Sequence, residues 1–231
     1  GTLPVVVFSP EDYDLTAGGP SERRRFVNNI LSQARSVYME TLMKYRRARR
    51  QRNEVLRSYK KRSAPPPDEL LAPWTEKLVG LGSRIVHRRQ QFLQAFADDL
   101  EEAYRRIDAV AERPTIEYDT IADLAPDATP DAIEDAFRAA LARKQGQERD
   151  RGTTLVGTQR DELVFRLDAL EVRRSGSQGQ HRHFPMAIQL PPYFYLPQRN
   201  ATQPLPLPSD AFRTTDAELP PALHCPHRAG P

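Results

Sequence analysis

The sequence predicts a mixed α/β fold of the α+β kind, built around a long antiparallel helical hairpin and followed by a Pro-rich tail. Three observations predict it. Two long amphipathic runs, one from Phe26 to Tyr59 and one from Trp74 to Ile107, are separated by the Pro-rich link Ser63-Ala64-Pro65-Pro66-Pro67. Short runs of β-branched and apolar residues lie on either side of them, at Val5 to Phe8, Thr115 to Tyr118 and Leu163 to Leu167. Eleven of the 21 prolines fall after Phe184, a density that forbids a continuous helix or a central strand there.

Each element has its own justification. Val5 to Phe8 reads as a central strand, ended by Ser9-Pro10-Glu11-Asp12. Gly18-Gly19-Pro20 is a turn and Ser21 a fair N-cap for the first long helix. Its apolar face, Phe26, Ile30, Val37, Leu42, Tyr45, Leu56 and Tyr59, weakens inside a basic stretch. The second long helix is expected after Pro73. Its seam runs Trp74, Leu78, Leu81, Ile85, Phe92, Phe96, Leu100, Ala103 and Ile107 in steps of mostly three and four. Neither face is wide enough to form a core alone, so the two helices should pack on each other. Thr129 followed by Pro130 is a helix start, and Ile133, Phe137 and Leu141 give a third helix fading near Lys144. Thr153 to Val156 and Leu163 to Leu167 read as strands flanking Gly157-Thr158-Gln159-Arg160-Asp161. The domain boundaries expected are 1–18 for a strand and loop, 19–113 for the helical hairpin lobe, 114–190 for a second mixed part and 191–231 for the Pro-rich tail.

Composition narrows the function classes. Charged residues are 28% and apolar residues 39%, which suits long exposed helices better than one deep core. The net charge of +3 supports no bulk argument about nucleic acid, but its distribution does. Lys44, Arg46, Arg47, Arg49, Arg50, Arg52, Arg57, Lys60, Lys61 and Arg62 crowd one stretch with Glu54 as its lone acid. Such a stripe can neutralise phosphates, with Arg46, Arg47, Arg49 and Arg50 as the DNA-contact candidates; a solvated helix face is the competing reading. Cys225 is the lone cysteine, so a disulfide framework or thiolate zinc cluster is excluded, and a reducing, cytoplasmic setting is expected. No apolar run approaches the ~20 residues of a membrane span.

One stretch points to specific chemistry. Gly176-Ser177-Gln178-Gly179-Gln180 precedes a helix-like run. A serine hydroxyl and a glycine amide at a helix start can bond phosphate oxygens, and the helix N-terminus favours negative charge. Glycine lets a ligand backbone or phosphate approach without a Cβ in the way. The pattern is that of an ABC-type ATPase signature loop. On its own it is also what a plain Ser/Gly turn looks like.

Further segments carry a family likeness. Val5-Val6-Val7-Phe8-Ser9-Pro10-Glu11-Asp12 and Gly19-Pro20-Ser21-Glu22-Arg23-Arg24-Arg25-Phe26 resemble the middle of the RecF family, within the SMC/Rad50-like ABC ATPases. Tyr45-Arg46-Arg47 with Arg50-Gln51-Arg52-Asn53 is similar to the family's helical lobe, and Thr154-Leu155-Val156-Gly157 with Arg160-Asp161-Glu162-Leu163 to its strand and turn before the signature. The likeness spans about Leu3 to Leu196, with the motifs in family order. It implies a partial ABC-ATPase head carrying a hairpin lobe. ATP with Mg2+ would be sandwiched between two heads, giving an ATP-dependent homodimer on DNA, at single-strand gaps and single-strand/duplex junctions. The resemblance also implies recombination mediator proteins as partners, roles in DNA replication, recombination and repair, and a place in the SOS response. Ser177, Gly179 and Gln180 would contact the nucleotide of the partner subunit.

The departures from the family are as specific. No Gly-rich phosphate loop ending in Gly-Lys-Ser/Thr occurs in these residues. Thr158-Gln159 replaces the family's Pro-His. In the stretch Leu205 to Phe212, Ser209 stands where a magnesium-associated aspartate is expected and Asp210 where the carboxylate orienting the attacking water belongs; Asp216 would be the aspartate of the following loop. A hydroxyl does not replace a carboxylate on Mg2+. Pro206 and Pro208 should break ladder bonds, and Pro185 should cost the helix after the signature ~3 kcal/mol. The chain therefore reads as a truncated or eroded copy, from which no catalysis is expected unaided.

Other features are weighed against plain structure. His181 with His183, or His224-Cys225-Pro226-His227, could ligate a metal, but a loop without supporting carboxylates fits better. Asp98-Asp99 with Glu101-Glu102 reads as a solvated acidic face. Pro204 to Pro208 mimics a polyproline ligand, though an eroded strand explains it better. Trp74 reads as a seam anchor. The alternative function is a non-enzymatic helical-hairpin module that binds DNA or an acidic protein through Lys44 to Arg62. A short coiled-coil arm of another SMC-like protein ranks behind it.

Overall fold

The computed structural model describes residues 5–8, 13–61, 66–107, 112–121, 124–125, 127–195 and 205–208. In chain order the elements are β1 (Val5–Phe8), α1 (Tyr13–Ala17), α2 (Pro20–Ala34), α3 (Ser36–Lys61), α4 (Asp68–Ile107), β2 (Pro114–Asp119), α5 (Pro130–Arg151), β3 (Glu162–Leu167), β4 (Leu170–Glu171), α6 (Val172–Ser175), α7 (Gln178–Tyr195) and β5 (Leu205–Pro208). They divide into two compact units. The first takes 1–23, 95–116 and 165–231; the second takes 24–94 and 117–164.

In the second unit, α3 and the first part of α4 run antiparallel. Arg52 Nε reaches Thr75 Oγ1 at 3.1 Å near one end, and Arg89 Nε reaches Tyr38 Oη at 3.3 Å near the other. Leu42, Tyr45 and Leu56 of α3 are buried, as are Leu78, Val79, Ile85 and Val86 of α4 and Ile133, Phe137 and Leu141 of α5. The expected long first helix is in fact two. It breaks at Arg35, where the Arg35 N–H closes on Leu31 O and the Tyr38 N–H starts a new helix from Arg35 O. Helix α4 begins at Asp68, earlier than expected, with Pro73 inside it. Pro73 and Glu69, whose carbonyl a residue-73 amide would otherwise meet, are both exposed, so the missing bond falls on a face open to solvent. Helix α5 runs past Lys144 to Arg151. It ends on Gly152, in the left-handed conformation with φ 68°, whose N–H caps Glu148 O at 2.8 Å.

The strand expected at Thr153 to Val156 does not form. Its donors go to side chains instead: Thr154 N–H to Asn53 Oδ1 at 2.8 Å and Leu155 N–H to Glu148 Oε1 at 2.7 Å. Backbone donors satisfied this way have no need of a ladder.

In the first unit, β1 pairs parallel with β5, Val5 opposite Leu205 through Phe8 opposite Pro208. The prolines expected to exclude a strand are accommodated because, among the described residues, β5 has a neighbour on one side alone. The other sheet has the order β2-β3-β4, with β3 and β4 joined by the two-residue turn Asp168-Ala169. Helix α7 continues through Pro185, contrary to the expectation that helix stops there. The helix also takes in Pro191 and Pro192, and burial of Phe184, Ala187 and Ile188 on it offsets the backbone bond lost at Pro185. The Phe184 ring packs 5.3 Å from Phe165 and 6.1 Å from Tyr104. No described helix is long and apolar enough to cross a membrane.

Candidate functional site

The Ser177 to Gln180 loop lies at the start of α7 and is held by a reciprocal cap. Gln180 N–H donates to Ser177 Oγ at 3.2 Å, and Ser177 N–H donates to Gln180 Oε1 at 2.8 Å. This is the capping box with glutamine at its fourth position. It satisfies two orphan amides of the helix end and still leaves the Ser177 hydroxyl proton free to donate. Gln180 Nε2 donates to both oxygens of Glu112, at 2.8 and 3.0 Å. His181 fixes the next turn, its Nδ1 lying 3.1 Å from Thr16 Oγ1.

The two loop glycines differ. A Cβ on Gly176 would come within 2.5 Å of Val172 O and 3.1 Å of His181 Nε2, so the chain's own packing demands glycine. A Cβ on Gly179 would meet nothing nearer than Ser177 Oγ at 3.8 Å. Ser177 and Gly179 are both exposed. No described residue packs closely enough to explain why position 179 lacks a side chain in a helical turn, where glycine costs ~1 kcal/mol relative to alanine.

The basic stretch on α3 is less open than its composition suggests. Arg52 is buried and paired with Glu148 at 2.7 Å, with its Nη1 on Thr154 Oγ1 at 2.9 Å. It is a structural residue, not a phosphate contact. Lys44 pairs with Glu40 and Arg57 with Glu54. Arg46, Arg47 and Arg50 are exposed and Arg49 half-buried, and none of the four makes an ion pair with a described residue.

The second unit also holds a buried network that the sequence reading missed. Arg89, 1% exposed, pairs with Asp161, 2% exposed. Arg89 also donates to Asn28 Oδ1 at 3.0 Å and Thr158 O at 3.2 Å. The Asp161 carboxylate further accepts from the Tyr118 hydroxyl and from Thr120 Oγ1 at 2.8 Å. Burial pushes the Tyr118 phenol well up, and the Asp161 charge adds to that. Burial opposes the Arg89 charge, but Tyr118, Tyr38 and Asp161 outweigh it and hold the guanidinium charged. Thr158 and Gln159 are built into this core as well. Tyr45 Oη accepts from Thr158 N–H at 3.1 Å and donates to Gln159 Oε1 at 2.6 Å. Gly157, with φ 123°, sits directly against the Tyr45 hydroxyl. The signal for Arg89 lay in the seam of α4, whose apolar residues skip from Ile85 to Phe92 with Arg89 in the empty slot. Arg52 fills the matching gap between Tyr45 and Leu56 on α3.

Asp210 and Asp216, with Ser209, lie outside the described residues, as do the loop 9–12 and His224 to His227. Among the described residues no three His, Cys, Asp or Glu side chains form a metal-holding group. Trp74 is half-buried, with Lys77 Nζ 4.9 Å above its ring. Glu101 and Glu102 pair with Arg105, Arg106 and Arg113.

No protein-family model matches the chain. Solved structures do, among them two of the recombination mediator protein RecF in the RecFOR pathway. The one described as RecF-ATP aligns with a TM-score of 0.86 at 25% identity, over 93% of this chain and 57% of its own; the one described as RecF-ATPrS aligns with a TM-score of 0.87 at 24% identity. The fold is thus that of a partial ABC-ATPase head with a helical lobe. Among curated proteins, the DNA replication and repair protein RecF of Salinibacter ruber is 91% identical over 218 residues, 94% of this chain and 53% of that protein. Those of Chloroherpeton thalassium and Prosthecochloris aestuarii are 35% and 36% identical over the same share of the chain. The likeness to these RecF proteins runs over nearly the whole of this chain, which spans somewhat more than half the length of the curated relatives it matches.

Proposed function

We propose that this chain provides the trans-acting half of an ATP-driven clamp on DNA, acting in replication-linked repair at single-strand gaps. In this reading the 19–113 segment serves as the helical lobe. Ser177, Gly179 and Gln180 close over the γ-phosphate of ATP held by a second subunit, and recombination mediator proteins are the partners. The carrying observation is Gly179: exposed, next to a hydroxyl with a free proton, and free of any packing reason to be glycine. A phosphate fits there, since helix-start amides and the Ser177 hydroxyl are its natural donors. When bound, ATP would supply the charge that holds two subunits together. Gln180 would have to share its amide between Glu112 and the phosphate. Mg2+ enters no step of this reading, since Ser209 stands where its aspartate is expected.

Mixing the chain with the intact Salinibacter ruber relative, with and without a non-hydrolysable ATP analogue, tests this by sedimentation velocity. A mixed complex should form with nucleotide alone and vanish with Ser177→Arg. Nucleotide-independent association, or association indifferent to Ser177→Arg, overturns the reading.

A second reading, a nucleotide-independent DNA-binding hairpin, is favoured by the exposed Arg46, Arg47 and Arg50. Duplex binding unchanged by ATP, with a salt slope lowered by about one unit for each phosphate contact removed, would support it.

A further inference from the structure

The second unit carries a cleft of about 220 Å3 between the middle of α5, the residues after β2 and the turn that ends at Asp161. Its floor is aliphatic, with Ile121, Leu155 and Val156. Its rim carries Arg143, Lys144 and Arg160, all three exposed, and none makes an ion pair with a described residue. Among the described residues of the lining the one acid is Asp161, which is buried and already engaged by Arg89, Tyr118 and Thr120. The concavity therefore presents one sign of charge over an apolar floor, an arrangement that focuses the field on an incoming anion.

We propose that this cleft binds an acidic peptide segment of a partner protein, with carboxylates on the Arg143, Lys144 and Arg160 rim and one apolar side chain on the floor. Nucleic acid suits it less. Unpaired bases gain affinity by stacking on aromatic faces, and none of the described residues lining the cleft is aromatic. The volume is below the roughly 300–1,000 Å3 of small-molecule sites and matches a single inserted side chain. Guanidinium groups at the rim suit carboxylates, which they can grip with two parallel bonds.

The probe is a fluorescein-labelled peptide, a run of aspartates ending in leucine, titrated with the whole chain and read by anisotropy. Saturable binding is expected, weakened about tenfold or more by Arg143→Glu with Lys144→Glu, and by Arg160→Glu alone several-fold. Replacing the leucine by serine should weaken it comparably. Arg46→Glu with Arg47→Glu, equal in net charge, should change it by less than about twofold at physiological salt. Equal loss in both charge-reversed pairs would reduce the effect to bulk charge and overturn the proposal. So would indifference to the leucine. A labelled oligothymidine that binds more tightly than the peptide, and is lost with the same Arg143 and Lys144 changes, would assign the cleft to nucleic acid and overturn it too.

Discussion

Asp161→Asn tests the buried network most sharply. The change is nearly isosteric, but it removes the charge facing Arg89, which is 1% exposed. Breaking a buried pair by removing one partner costs ~3–5 kcal/mol, because the other charge stays in the interior uncompensated. Arg89 keeps the Asn28 and Thr158 oxygens as acceptors, at 3.0 and 3.2 Å, which places the loss near the lower end, about 3 kcal/mol. For a chain of this size that is a fall in melting temperature of roughly 6–12 °C. Surface pairs such as Lys44–Glu40, more than 60% exposed on both sides, are a contrast, worth under about 0.5 kcal/mol. The assay is urea unfolding of Asp161→Asn, Arg89→Met and the double variant. The double variant should be clearly less destabilised than the sum of the singles, by ~1–3 kcal/mol. A loss under about 1 kcal/mol for Asp161→Asn, or additive singles, would refute the argument that this pair is a coupled buried charge pair.

Other predictions follow from single residues. Gly179→Ala should leave the melting temperature unchanged or raised, since alanine is the better helix residue by up to ~1 kcal/mol, whereas Gly176→Ala should cost ~1–3 kcal/mol through its clash with Val172 O; thermal scans of the two variants separate them. Ser177→Ala should lose about 1 kcal/mol with the cap, read by the same scans. The Tyr45 phenol is pushed up to about 12 by burial, partly opposed by its Thr158 hydrogen bond. An unfolded tyrosine ionises near 10, so this group's contribution is whole below that pH and declines as pH rises towards 12. Stability measured at increasing pH should therefore fall in the wild type between these values. The fall should be shallower in Tyr45→Phe, and an unchanged slope would count against this origin.

The parts legible in the sequence were those with local causes. Turn residues, apolar seams and the Ser177 to Gln180 pattern all act within a few positions, so β2, β3 and the loop before α7 could be read directly. What escaped depends on partners far along the chain. Thr154 forms no strand because Asn53 and Glu148 take its segment's donors. Arg52 reads in sequence as one more member of the basic stretch, but it is buried against Glu148 on α5. Pro185 looked like a helix stop because the aromatic cluster around Phe184 has no signature in sequence. Asp161 stood inside a recognised motif, yet its partner Arg89 showed itself only as a gap in an apolar seam.

The most direct test of the central claim uses an ATP analogue carrying a photoreactive group on its γ-phosphate, bound to the intact Salinibacter ruber relative and irradiated in the presence of this chain. Peptide mapping should place label on this chain within Ser177 to Gln180, and Gly179→Trp should abolish it. Label confined to the relative, or found on this chain away from that loop, would contradict the account.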